Sequence, residues 1–354
     1  MYKRLALFLF SLVFIAGILY YVGFDETLGI MLSIQPAYFL LLLALQLFTM
    51  FLSAVKWRLI LRHVKVSFKN LLAVTFVGYF VNNITPIGLA GGEPVKAYLL
   101  SKKERIAPEK AFSSVIVDLF LEIIPIFLLS AVAIFLIISN GISLEIAMVI
   151  IAASLVLLAL FILSLTLAIN KEYSLKIIGV MLRFLSRLPY MKGKADKIHS
   201  ELEEIYGKFN KAMKEQMLDN YTLFFGTCLS ITVWCLRLLR VYIIFLAIGI
   251  KIPLSTLIIV QAFAIVVTFI PISPGALGIW EGTNIALFVL LGGSAVTAVQ
   301  ATTVTMIDRI VFYIFPTVLG VLCAMFLGVD VLGLVKKEAS GKVDMENVAK
   351  VIES

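Results

Sequence analysis

Long apolar runs separated by short polar or basic stretches give this chain its frame. The first run lies within residues 1–23, behind Lys3-Arg4. No small-x-small cleavage site follows it, so it reads as a retained membrane helix and not as a signal peptide. A loop over 24–36, carrying Asp25-Glu26, leads to a second span at about 37–55, and Lys56, Arg58, Arg62 and Lys65 follow. Clusters of Lys and Arg beside a span favour the cytoplasmic side. Lys56, Arg58 and Arg62 are therefore read as fixing topology, with the N-terminus inside and the 24–36 loop outside. Further spans are expected at about 110–138, 144–169, 221–249 and 296–327. The last returns to the cytoplasm, where Lys336-Lys337 opens a polar tail over 331–354.

Two apolar stretches break the pattern. Residues 69–93 have basic flanks and contain Asn82-Asn83-Ile84-Thr85-Pro86-Ile87-Gly88-Leu89-Ala90-Gly91-Gly92-Glu93. Residues 254–293 carry Pro274-Gly275-Ala276-Leu277-Gly278-Ile279-Trp280-Glu281 and almost no basic residues. Hydrocarbon offers no water to freed backbone N–H and C=O groups. Gly- and Pro-rich backbone at that depth therefore needs cover from protein or from a polar cavity. Each stretch is expected to be a re-entrant hairpin, the first entering from the cytoplasm and the second from outside. The fold class that follows is an all-α polytopic membrane protein, about six transmembrane helices plus two re-entrant hairpins, in one membrane domain over 1–330.

The two halves repeat each other. Lys65-Val66-Ser67-Phe68-Lys69-Asn70-Leu71-Leu72 resembles Lys251-Ile252-Pro253-Leu254-Ser255-Thr256-Leu257-Ile258. Pro86 to Glu93 is seven positions, as is Pro274 to Glu281. Asp118 follows Ser113-Ser114-Val115 and precedes Pro125, while Asp308 follows Thr302-Thr303-Val304 and precedes Pro316. Repeat 1 covers about 37–138 and repeat 2 about 221–327, and the basic flanks give them opposite orientations. In secondary transporters, inverted repeats with broken helices place the substrate near the midplane. The insert over 170–220, with ten Lys/Arg against seven Asp/Glu, spaces Ile198, Leu202, Ile205, Phe209, Met213 and Met217 as an amphipathic helix. It would lie on the inner leaflet, cap the bundle, or simply connect the halves.

Composition agrees and narrows the chemistry. The 354 residues are 61% hydrophobic and 15% charged, against about 25% charged in soluble domains. The +8 net charge sits in short segments beside spans, so it carries orientation and does not suggest nucleic acid. Cys228, Cys235 and Cys323 lie in apolar segments, and only His63 and His199 are present. No metal site, cofactor, nucleophile motif or Gly-rich phosphate loop is suggested, and the chain is expected not to be an enzyme.

Charges inside the spans are the candidate chemistry. Asp118 and Glu122 share a helix face, Arg237 and Arg240 lie deep in a span, and Asp308-Arg309 form a third charged site. A lone charge at a helix centre costs roughly 2.5–3.5 kcal/mol on insertion scales. Glu93, Asp118, Glu122, Glu281 and Asp308, with Arg237, Arg240 and Arg309, are therefore expected to line one polar cavity or to hold helices together as static pairs. Arg suits a lipid phosphate because its planar fork donates two parallel hydrogen bonds. Asn82 and Asn83 would donate from the first hairpin or cap it, and Lys96 would be a ligand or an interfacial anchor.

Asn82/Asn83, Pro86, Gly91-Gly92-Glu93 and Lys96, with Pro271-x-x-Pro274-Gly275-x-x-Gly278-x-x-Glu281, resemble the flippase-like membrane domain of lysylphosphatidylglycerol synthases. The resemblance covers about residues 5–330. It implies movement of an anionic or aminoacylated phospholipid, or of a polyprenyl-phosphate carrier, between leaflets of the cell membrane. Glu93, Asp118, Glu281 and Asp308 would be the functional acids, and Arg237 and Arg240 the head-group contacts. The family's basic position after the first break is usually Arg and is Lys96 here. The full synthase continues into an aminoacyl-transfer domain, whereas about 25 polar residues follow here, so this chain is not expected to make an aminoacyl lipid. Two other readings remain: a membrane-embedded lipid-modifying enzyme using Asp118 and Glu122, or a non-transporting subunit that anchors a glycosyltransferase.

Overall fold

The computed structural model describes residues 15–85, 91–142, 144–170, 173, 195–268 and 274–328, and its regular elements are all helical. A helix over Ile15–Val22 (α1) bends by 88° into Phe24–Ser33 (α2). The bend falls at Gly23, whose φ of 113° is open to glycine and strained for other residues. The Thr27 hydroxyl donates to the Gly23 carbonyl at 2.8 Å. This corrects the expected loop over 24–36. Its only charges, Asp25 and Glu26, occupy the first turn of α2, where the helix dipole favours carboxylates.

The spanning helices are Pro36–Ile60 (α3), then, beyond the first hairpin of Phe68–Ile84 (α4) and Glu93–Glu104 (α5), Pro108–Ser139 (α6) and Leu144–Ile169 (α7). The insert helix Ala195–Met217 (α8) precedes Asn220–Ala247 (α9). The second hairpin is Leu254–Thr268 (α10), a single 3-10 turn at Pro274–Ala276, and Ile279–Gly292 (α11). The last span is Ala298–Phe326 (α12). Among the described residues five helices are long and apolar enough to cross a membrane, and the bent pair α1–α2 would make a sixth. On α7, Met148, Leu155, Val156 and Leu163 are all more than half exposed, as a lipid-facing helix requires. The expected segments over 1–14, Pro86–Ala90, 269–273 and 331–354 lie outside the described residues.

The hairpin arms hold 17, 12, 15 and 14 residues. At 1.5 Å per residue they are about 26, 18, 22 and 21 Å long, short of the roughly 30 Å hydrocarbon core. Each hairpin therefore enters and leaves on one side. Three crossings, α3, α6 and α7, separate the start of α3 from that of α9, so the two halves run in opposite directions. Their packing is reciprocal. α3 lies along α9, α4 along the end of α12, and α10 along α6, while α5 packs on α6 and α11 on α12.

One irregularity separates the halves. Asp118 precedes Pro125 by seven positions and Asp308 precedes Pro316 by eight. The extra residue falls in a π-helical turn at Ile310–Ile314, the device by which a helix absorbs one residue, often at a functional site.

α8 packs mainly on α6, with further contacts to α7 and α9, and Met213 is fully buried with Phe209 and Met217 packed around it. The amphipathic face thus caps the bundle. The α4–α12 contact is close enough that a Cβ on Gly320 would strike the Phe76 carbonyl and the Phe80 side chain. Gly320→Val should lower stability by about 1–3 kcal/mol through overpacking, read as a fall in melting temperature in detergent. An unchanged melting temperature would mean the two helices can separate freely.

Candidate functional site

α3 turns Gln46, Thr49, Met50, Lys56, Trp57 and Ile60 into the bundle. Lys56 is 1% exposed. Its Nζ lies 2.9 Å from Asp118 Oδ1 and also bonds Glu122 Oε1. Asp118 and Glu122 are one helical turn apart on α6, so one ammonium serves both. Asp118 Oδ2 faces Lys96 Nζ at 3.4 Å, and Lys96 bonds Glu93 Oε2 at 2.8 Å within the first turn of α5. The Trp57 ring lies 4.9 Å from Lys96 Nζ and its indole N–H donates to Ser114 Oγ at 3.0 Å. At the outer edge, Trp234 Nε1 donates to Glu122 Oε2 at 2.9 Å, and Arg237 Nη1 stands 3.8 Å from the same oxygen. Three carboxylates and three cations from α3, α5, α6 and α9 thus form one neutral cluster. Lys56, expected to act on topology with Arg58 and Arg62, is instead the cation at its centre, because its helix register faces inward.

The second half builds a related cluster. Arg240 stands 20 residues into α9, as Lys56 does in α3. Its Nε donates to Asp308 Oδ1 at 2.6 Å and its Nη1 to Gln46 Oε1 at 2.7 Å. Asp308 and Arg309 do not pair with each other, since consecutive residues on a helix face different directions. Arg309 Nε instead contacts Glu281 Oε1 at 2.5 Å as a charge pair without aligned hydrogen-bond geometry. Arg309 Nη2 donates to the Gly275 carbonyl at 3.0 Å. Glu281 is fully buried, and its other oxygen accepts the Gly278 N–H at 2.7 Å, which caps α11. Three positions after Glu281 stands Asn284, where the first half has Lys96 three after Glu93. The compensating cation therefore comes from the spanning helix in this half and from the hairpin in the other.

Between the clusters the two broken segments touch. The Gly275 N–H donates to the Thr85 carbonyl at 3.3 Å. Asn83 Nδ2 donates to the Tyr313 carbonyl at 3.0 Å and to Thr317 Oγ1 at 2.9 Å, while the Tyr313 hydroxyl donates back to the Asn83 carbonyl at 2.8 Å. Tyr313 belongs to the π-helical turn, so the irregular part of α12 is what receives the first hairpin. Asn82 stays within its own hairpin: its Oδ1 accepts the Gly92 N–H at 2.6 Å and its Nδ2 donates to Glu93 Oε1 at 3.4 Å. A Cβ on Gly92 would strike the Gly78 carbonyl, so the turn closes only on glycine.

The structure thus divides the eleven expected residues. Glu93, Lys96, Asp118, Glu122 and Arg237 form one cluster, Arg240, Glu281, Asp308 and Arg309 the other, and Asn82 and Asn83 lie at the hairpin turn between. Sequence reading missed Lys56, Gln46, Trp234 and Tyr313. For the first two a signal existed: Gln46, Thr49, Lys56 and Ile60 lie along one helical face. Among the described residues no group of three or more His, Cys, Asp or Glu is placed to hold a metal ion.

A family model described as lysylphosphatidylglycerol synthase TM region matches residues 7–320. A UPF0104 membrane protein of Methanothermobacter thermautotrophicus is 33% identical over 322 residues, covering 89% of this chain and 90% of that protein. A UPF0104 membrane protein of Pyrococcus horikoshii is 27% identical over 328 residues, covering 90% and 95%. One of Methanocaldococcus jannaschii is 27% identical over 334 residues, covering 92% and 95%.

Proposed function

The chain belongs to the lysylphosphatidylglycerol synthase TM-region family, and from that premise we propose that it is a lipid flippase rather than an enzyme. It moves a lipid with a charged head group between leaflets of the cell membrane: an anionic or aminoacylated phospholipid, or a polyprenyl-phosphate carrier. The observation that supports this best is the Gly275–Thr85 contact, which joins two oppositely inserted broken segments with a charge cluster on either side. Inverted repeats that meet in this way can rock about the contact and open to each face in turn. Charge clusters suit such a task, because they hold charged partners at membrane depth that a head group can borrow. The basic flanks of the spans support a cytoplasmic location for both termini.

The pairing of all five carboxylates also favours a second reading, a static subunit in which the charges only hold helices together. Leaflet exchange in proteoliposomes separates the two. Fluorescent phosphatidylglycerol, its aminoacylated form and a polyprenyl phosphate would be compared with Glu93→Gln and Asp308→Asn proteins. The flippase reading expects one lipid class to exchange faster with the protein, with at least about a tenfold loss in both variants, equivalent to 1.4 kcal/mol. No acceleration of any lipid, with the variants equally well folded, would move the weight to the static subunit. Conversion of a lipid to a new species would instead identify an enzyme.

A further inference from the structure

Of the six charged side chains in the first cluster, four are enclosed. Lys56, Lys96, Glu93 and Asp118 are 1, 8, 10 and 12% exposed at their side chains. Glu122 and Arg237 are 20 and 24% exposed. They form an opposite-charge pair at 3.8 Å with no hydrogen bond between them. Glu122 is already engaged by Lys56 and by the Trp234 indole. Arg237 stacks 4.4 Å over the Trp234 ring and makes no hydrogen bond among the described residues. Every other buried cation of the two clusters has a close acceptor, so Arg237 alone keeps its donor fork unfilled. The two helices that carry the pair turn aliphatic side chains outward on their other faces: Ile124 and Leu128 on α6 and Leu239 on α9 are exposed.

An unfilled guanidinium at membrane depth, beside a partly exposed carboxylate, matches a lipid head group. Its phosphate would take the planar fork of Arg237 with two hydrogen bonds. Charge balance selects the head group further. The cluster is neutral with Arg237 counted, so a monoanionic head group leaves one uncompensated negative charge, whereas one bearing both phosphate and ammonium leaves none. We infer that Arg237 and Glu122 form a binding site for a zwitterionic phospholipid, with phosphate on Arg237 and ammonium toward Glu122. The inference names a lipid contact for the flippase reading, yet binding at this site does not require transport.

Native mass spectrometry of the full chain in detergent tests it, titrating phosphatidylethanolamine, phosphatidylglycerol and inorganic phosphate separately. Phosphatidylethanolamine should be retained about tenfold more tightly than phosphatidylglycerol, and inorganic phosphate should not bind. Arg237→Gln should abolish that retention, Arg237→Lys should restore only part of it, and Glu122→Gln should reverse the preference toward phosphatidylglycerol. Melting temperatures show whether each variant is folded. Equal binding of both lipids, binding of free phosphate, or undiminished retention in Arg237→Gln would overturn the inference. Because this is equilibrium binding, its failure stays separate from a failure of leaflet exchange, which can be lost while retention persists.

Discussion

Lys56→Met is expected to destabilise the folded protein by about 3–5 kcal/mol, the usual result of removing one partner from a buried ion pair. The substitution keeps the aliphatic stem and deletes only the ammonium. Asp118 then retains one contact, Lys96 at 3.4 Å, and Glu122 retains only the Trp234 indole and the loosely placed Arg237. Two carboxylates would share a partly dry site with one negative charge in excess. Denaturant melts in detergent should show a large loss for Lys56→Met and a change near zero for Arg62→Met, because Arg62 is exposed and its pair with Asp219 lies at the surface. The double change Lys56→Met with Glu122→Gln should lose less than the sum of the two, since it removes the orphaned charge along with its partner. If Lys56→Met were no more harmful than Arg62→Met, Lys56 would be an orientation signal and not the centre of a cluster.

That contrast explains how far the sequence could be read. The breaks at Glu93 and Glu281 were legible because Gly and Pro at membrane depth are costly and therefore informative. Asp118, Arg240 and Asp308 were legible for the same reason, each being a charge inside an apolar run. Lys56 was hidden by its neighbours: with Arg58, Arg62 and Lys65 it reads as one basic flank, and only the helix register distinguishes the inward lysine from the outward arginines. Partner choice was less accessible still. Asp308 and Arg309 are adjacent in sequence and take different partners, one on α9 and one on α11. The meeting of Thr85 with Gly275 depends on the crossing of two hairpins separated by most of the chain, which no local pattern encodes. The π-helical turn was visible only as an extra residue between Asp308 and Pro316, and that spacing acquires meaning once the fold aligns it with Asp118 and Pro125.

Gly275→Ala should cost far more than one added methyl group at an open position. Gly275 has φ of +56°, and a Cβ there would meet the Tyr313 ring and, at 2.9 Å, the Asn83 carbonyl oxygen. The left-handed backbone alone costs a residue with Cβ about 1–2 kcal/mol, and crowding a packed site adds about 1–3 kcal/mol. Relief requires the Tyr313 ring to move, which breaks its hydrogen bond to Asn83 and separates the two hairpins. Gly293 supplies the control: its φ is +55°, yet a Cβ there meets nothing within 4 Å. Gly293→Ala should therefore lose only the backbone part of the stability and keep leaflet exchange at the parental rate. Gly275→Ala should lose about 2–5 kcal/mol in total and slow exchange along with it. Equal losses in the two variants would mean that the hairpin tips are free of one another, and that the contact between the halves lies elsewhere than at Thr85 and Gly275.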